Sequence, residues 1–203
     1  MSALKRLFNR DVRPRGGTAG GGVERGVALC TERLLLRPVG DGDIRRIAQL
    51  AGDWSVASMT ARIPFPYTER DAVEWIGGLG EGEVVAAIER DGELIGMVGY
   101  TLAPDRRSAE FGYWIGRPYW GVGYATEAAR AMVEHCFTTE RFDRLTCCHF
   151  TDNPASERVI GKLGFTAVGT CSAWSEARRR EAPTVSYELV APARRRRGPA
   201  GWW

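Results

Sequence analysis

No stretch of the sequence is apolar for long enough to cross a bilayer. Its start, MSALKRLFNRDVRPRG, is basic but lacks the apolar segment of a secretory signal. Both absences point to a cytoplasmic protein. Cysteine is sparse and poorly spaced for cross-linking: Cys30, Cys136, Cys147, Cys148 and Cys171 are odd in number and contain no C-x-x-C pair. That argues against a disulfide framework or a zinc site and leaves free thiols in a reducing compartment. With only His135 and His149, no metal site is expected unless carboxylates help. A folded basic face is missing as well. The formal net charge is +3, and Arg194 to Arg197 together with the basic N-terminal stretch exceed that surplus. The body between them is near neutral, which argues against a nucleic-acid interface. No internal repeat is visible.

What remains is an ordinary globular composition, 44% hydrophobic and 26% charged, in a chain long enough for one domain with tails. Residues 1–28 are rich in Gly and Arg and are expected to be a disordered tail. Residues 192–203 form a second, basic tail ending in Trp-Trp, and 29–191 are the domain.

Inside the domain, RLLLRP (33–38) reads as a strand, and DGDIRRIAQLAG as a helix with Ile44, Ile47, Ala48 and Ala51 on one face. The next stretch is irregular, broken by Pro64 and Pro66. Thr68 and Asp71 form a capping pattern for a helix that stops at Gly77 and Gly78. EVVAAIER and ELIGMVGYTL are joined by Asp91-Gly92, the sequence of a two-residue hairpin. The segment 109–116 alternates Phe111, Tyr113 and Ile115 against Glu110, Gly112 and Trp114. A strong helical period runs from Ala125 to Phe137, followed by a strand at 144–150. Asn153 and Pro154 open another helix that Gly164 stops. Two final strands flank a basic loop, SEARRREAP. The order β-α-α-β-β-β-α-β-α-β-β describes an α/β (α+β) chain with a mostly antiparallel sheet.

The turn Gly121-Val122-Gly123, ahead of the Ala125 helix, carries the chemistry. A P-loop needs Gly-Lys-Ser/Thr, but Tyr124 follows Gly123. A dinucleotide turn needs a third Gly or Ala where Thr126 stands, and it follows the first strand of a βαβ unit rather than the third of an antiparallel set. A strand, a G-x-G turn and a helix N-terminus can still hold a pyrophosphate on main-chain amides without a lysine.

With TERLLLRP, IPFPYT, AEFGYWIGRPYWGVGYATEA and DNPASERVIGKLGF in this order, the sequence resembles the GNAT acetyltransferases, and most closely their RimJ/RimL branch. The resemblance covers about residues 29 to 191. It implies the GNAT fold: about seven strands flanked by four helices, with a V-shaped cleft between the two central strands. It also implies acetyl-CoA as cosubstrate and no metal. The coenzyme diphosphate is expected on amides of Gly121, Val122, Gly123, Tyr124, Ala125 and Thr126. The pantetheine arm should pair with the strand edge at Ile115 and meet Asn153. Aligned on Gly121 and Gly123, the family's Gln/Arg position falls on Pro118, with Arg117 one place early. The resemblance further implies Ser156 as the hydroxyl beside the CoA sulfur, with Tyr124 a second hydroxyl, and Arg158 and Lys162 near the 3′-phosphate. Glu110, on the cleft strand, is the candidate base, and His149 its rival. Each also has a plain structural reading, as a sheet carboxylate and a strand histidine.

The implied reaction needs a neutral amine, a donor for the oxyanion and a proton for the thiolate. A strand amide near 114–116 can serve the oxyanion. An α-amine with pKa near ~7.8 is about a tenth neutral at pH 7, roughly four hundred times more than a lysine, so an N-terminal acceptor asks little of the base. The acceptor wall is expected in the aromatic stretch holding Trp54, Phe65, Tyr67 and Trp75. The leading acceptor is a protein N-terminus, in a ternary complex. Alternatives are a small amine, a non-catalytic CoA-binding module, and loose RNA contact through the tails. The chain is expected to be a monomer or homodimer.

Overall fold

The computed structural model describes residues 27–192. The expectations for the tails, including the terminal Trp-Trp, lie outside these residues except at positions 27, 28 and 192. Val27, which the composition assigns to the N-terminal tail, is buried in the main core.

Eight strands form one sheet: β1 (Leu29–Cys30), β2 (Leu35–Pro38), β3 (Glu83–Arg90), β4 (Glu93–Leu102), β5 (Ser108–Ile115), β6 (Arg144–Phe150), β7 (Thr166–Ser175) and β8 (Arg180–Val190). Five helices accompany them: α1 (Ile44–Ala51), α2 (Trp54–Ala57), α3 (Glu69–Gly77), α4 (Tyr124–Thr138) and α5 (Pro154–Lys162). None of these helices is long and apolar enough to cross a membrane. The counts exceed the expected seven strands and four helices for local reasons. β1 is a two-residue pairing of Leu29 and Cys30 with β2. α2 is a single turn that exists because Asp53 caps it, accepting from the Ser55 amide. β8 begins at Arg180, inside the stretch expected to be a basic loop, so the connection from β7 is only a four-residue turn.

The strand order is β1-β2-β3-β4-β5-β6-β8-β7. All neighbours are antiparallel except β5 and β6. The hairpin between β3 and β4 is as expected, with Asp91 and Gly92 both at positive φ. The parallel pair is in register only at Ser108↔Arg144, Ala109↔Leu145 and Glu110↔Thr146. Beyond Glu110 the two strands part while each stays bonded to its other neighbour, β4 or β8. The result is a V whose vertex lies at Glu110.

Side-chain alternation divides the core. Ala86 and Val98 face α4, where Ala128, Ala129, Met132 and Cys136 are fully buried. Ala87 and Met97 face α1 and α3, against Ile47, Leu50, Ala51 and Ala72. Both faces of the central sheet are therefore covered, which anchors the V on a rigid frame.

Candidate active site

The turn between β5 and α4 starts from backbone geometry. Gly121 (φ 79) and Gly123 (φ 95) are both left-handed, a region that glycine enters without the Cβ penalty. Gly123 is the N-cap of α4 and offers no side chain to cap it. The first helical bond runs from the Glu127 amide to the Gly123 carbonyl, 3.1 Å. Among the described residues, none of the amides of 121–126 donates to another protein group. These donors converge at the positive end of a fifteen-residue helix. Arg117 is exposed and lies 4.0 Å from Asp53, a loose surface pair.

Along β5 the hydrogen-bond pattern decides which backbone groups enter the V. The Gly116 amide donates to Ile95 of β4. In an extended strand the amides of Trp114 and Gly112 then point to β4, and those of Ile115 and Tyr113 point into the cleft, while that of Phe111 is spent in the ladder to β6. Of the amides near 114–116, only that of Ile115 faces the V. The Ile115 carbonyl is already occupied by the Trp120 indole N–H at 2.6 Å.

On the α5 side of the cleft, two hydroxyls meet. Tyr113 Oη and Ser156 Oγ are 2.9 Å apart. Burial pushes the Tyr113 phenol up to about 12, and its hydrogen bond with Ser156 works in the opposite direction. The phenol is therefore protonated at neutral pH and can donate. Ser156 is held there because its amide caps on Asn153 Oδ1, 3.1 Å. Asn153 spends its oxygen on the cap and keeps its NH2 group uncommitted. Sequence reasoning found Ser156 and Asn153 but treated Tyr113 only as one of three alternating apolar residues. Its place opposite α5 was the missing information.

Glu110 lies on the other face of β5. It is in register with Thr101 and, through it, Glu83, so the three share one face. Its carboxylate makes no hydrogen bond to any of the described residues. Desolvation raises its pKa, and Arg62, which pairs with Glu83 at 3.4 Å, partly opposes the rise. A carboxylate so placed is more basic than usual.

The rival base fails on geometry. His149 is buried, with Nδ1 2.7 Å from the Phe150 carbonyl and Nε2 3.0 Å from the Tyr187 hydroxyl. A carbonyl only accepts, so Nδ1 carries a proton and Nε2 binds the tyrosine. Stacked on Tyr187, it is a structural histidine on the face opposite Glu110. Tyr124 is corrected too. It is the first residue of α4 rather than part of an open loop, and its ring is buried. Its hydroxyl accepts from Arg90, while Arg33 and Arg90 both pack over the ring. Only its amide is available at the turn. Arg158 and Lys162 stand exposed on α5 without an ion-pair partner among the described residues.

The four aromatics expected to wall the acceptor divide into two pairs. Trp54 and Phe65 are exposed and meet edge-to-face, 5.1 Å between centroids. Tyr67 and Trp75 pack into the α1–α3 core. A residue of the stretch expected to be a basic loop holds the chain after α2. Arg178 is only 8% exposed. It donates to the Ser58 carbonyl at 2.6 Å, grips both oxygens of Asp152 at 2.8 and 3.1 Å, and lies 4.6 Å over the Phe150 ring. The Glu176 amide adds a bond to Ala61, 3.0 Å. One arginine among three in a row carries no signal of such a role. Among the described residues, no cluster of His, Cys, Asp and Glu could hold a metal ion, and all five cysteines are free thiols.

A family model described as an acetyltransferase (GNAT) domain matches residues 33–166, which take in the turn, both arms of the V and α5. The chain belongs to the GNAT acetyltransferase family. Relatives of this acetyltransferase include YoaA of Bacillus subtilis, an uncharacterized N-acetyltransferase, 29% identical over 182 residues, covering 81% of this chain and 97% of the relative. The putative ribosomal N-acetyltransferase YdaF of the same organism is 26% identical over 147 residues, 68% and 80% of the two chains. Among solved structures, RimL, a ribosomal α-N-protein acetyltransferase in complex with coenzyme A, superposes with a TM-score of 0.71 at 16% identity, over 79% of this chain and 96% of that one. At that identity the likeness is one of fold. As a GNAT N-acetyltransferase the enzyme uses acetyl-CoA as acyl donor, and the unbonded amides of 121–126 suit its diphosphate.

Proposed function

We propose that this acetyltransferase modifies a protein N-terminal α-amine by direct transfer in a ternary complex. The observation that carries the reading is the placement of two chemistries on opposite sides of the V. On one side is Glu110, a carboxylate with a raised pKa and no hydrogen-bond partner among the described residues. On the other is a hydroxyl pair, Tyr113 and Ser156.

In this reading the amides of 121–126 hold the diphosphate, and Asn153 and the open β5 edge hold the pantetheine arm. The acceptor ammonium loses its proton to Glu110, through a water. An α-amine suits this arrangement, because a base modestly above its ordinary pKa suffices for an amine that is already about a tenth neutral at pH 7. The Ile115 amide supplies a donor where the oxyanion develops. As the carbon–sulfur bond breaks, Ser156 gives its proton to the leaving thiolate and Tyr113 replaces it; the second proton, shed by the nitrogen as it becomes an amide, returns through solvent to Tyr113. Names of relatives such as YdaF and RimL support the ribosomal-protein direction for the acceptor. The exposed Trp54 and Phe65 give a peptide a wall to lie against.

The test is thiol release from acetyl-CoA with a panel of peptides bearing free or blocked N-termini, amino acids and polyamines. Free N-terminal peptides should be preferred by kcat/KM. Preference for a small amine, or CoA binding with no thiol release from any acceptor, would refute the proposal.

A further inference from the structure

The segment Thr31-Glu32-Arg33, between β1 and β2, lies far from the cleft in sequence, yet it is tied to the first turn of α4. Glu127 Oε1 accepts from the Thr31 hydroxyl at 2.7 Å and from the Arg33 amide at 2.8 Å. Its Oε2 accepts from Arg33 Nε at 2.7 Å and lies 2.6 Å from Arg33 Nη2. The same guanidinium turns its remaining nitrogen, Nη1, to the Val122 carbonyl, 3.3 Å. Val122 stands between the two left-handed glycines.

Peptide planarity gives this contact a consequence. The carbonyl of Val122 and the amide of Gly123 belong to one trans peptide and point in opposite directions. Holding the carbonyl on Arg33 therefore aims the Gly123 N–H away from Arg33. Gly123, on one side of this peptide, would otherwise let it turn easily. The pairing has an electrostatic effect too. Glu127 sits in the first helical turn, where its charge would repel an incoming diphosphate, and Arg33 neutralises it.

We propose that Arg33 is a positioning residue for the coenzyme: with Glu127 as its anchor, it presets the Gly121–Gly123 turn so that its amides meet the diphosphate. The proposal rests on the assignment of that turn to acetyl-CoA.

The experiment compares acetyl-CoA with S-acetylpantetheine, which has the same thioester and arm but no diphosphate. In the wild type kcat/KM should strongly favour acetyl-CoA. In Arg33→Met that preference should fall about tenfold or more, mostly through KM for acetyl-CoA, because a preorganised turn becomes one that must be ordered on binding. A general structural defect would lower both donors in parallel and leave the ratio intact, and that result overturns the proposal. Should Arg33→Met not fold, Glu127→Gln is read instead, since it keeps an acceptor for Thr31 and the Arg33 amide. An unaltered ratio there is equally fatal. A wild type indifferent to the diphosphate would overturn the assignment of the turn itself, which separates the two failures.

Discussion

Replacing Arg178 by methionine keeps the aliphatic stem over Phe150 and removes every polar contact of the guanidinium. The largest loss is at Ser58, a buried residue whose carbonyl accepts from Arg178 Nε at 2.6 Å. Leaving a buried acceptor unpaired costs about 1–3 kcal/mol. The cation over Phe150 adds about 0.5–2 kcal/mol. Asp152 contributes little, because its side chain is 56% exposed and water can take over. Together these give about 1.5–5 kcal/mol, and for a domain of this size a melting temperature lower by roughly 3–20 °C. The pH dependence supplies a second check. Hydrogen bonding from Arg178 holds the Asp152 carboxyl below its usual value. A depressed folded pKa contributes stability that is present above the unfolded value, about 3.9, and is lost as pH falls through the folded one. The gap between wild type and Arg178→Met should therefore narrow somewhat below about pH 4. The loop carrying Ser58 and Ala61 should loosen as well, raising KM for acceptors more than for acetyl-CoA. Thermal unfolding at several pH values and steady-state kinetics make the measurements. A melting temperature within about 2 °C of wild type at neutral pH would refute the view that Arg178 anchors this loop.

Ser156→Ala should lower kcat by about ten- to a thousandfold, Tyr113→Phe by less, and the double variant by no more than Ser156→Ala alone; additive losses would mean that the two hydroxyls do not act as a relay. Glu110 works ionised, and burial raises its pKa, so the rate should fall as pH drops through that value; Glu110→Gln should abolish this acidic limb, and a pH–rate profile that keeps it would remove Glu110 as the base. His149→Gln should cost stability in a melting experiment yet leave the pH–rate profile in place, because both ring nitrogens are committed to Phe150 and Tyr187. Gly121→Ala should weaken CoA binding in calorimetry although nothing crowds its missing Cβ, since the penalty lies in φ 79 rather than in space.

Local rules made much of the fold legible. Asp91-Gly92 announced a hairpin, Thr68 with Asp71 a helix start, and Asn153-Pro154 another, because each depends on neighbours in the chain. One of these local marks, the Asn153 cap that orients Ser156, also carried part of the candidate site, as did the glycine pair before α4. The short α2 and the two-residue β1 escaped, since one helical turn and one pairing leave no period to detect.

Tertiary structure decided what no local pattern encodes. The alternation of β5 separates Glu110 from Tyr113, but only the parting of β5 from β6 makes a cleft between them. That Tyr113 meets Ser156 depends on where α5 docks. That His149 is spent depends on Tyr187, a residue of the paired strand β8. Arg33 and Arg178 show the same limit most sharply. In sequence they are surface arginines among many, and their roles come from partners 94 and 120 positions away. A charged side chain acquires its function from the carboxylate or carbonyl it reaches, and that distance is set by the packed chain.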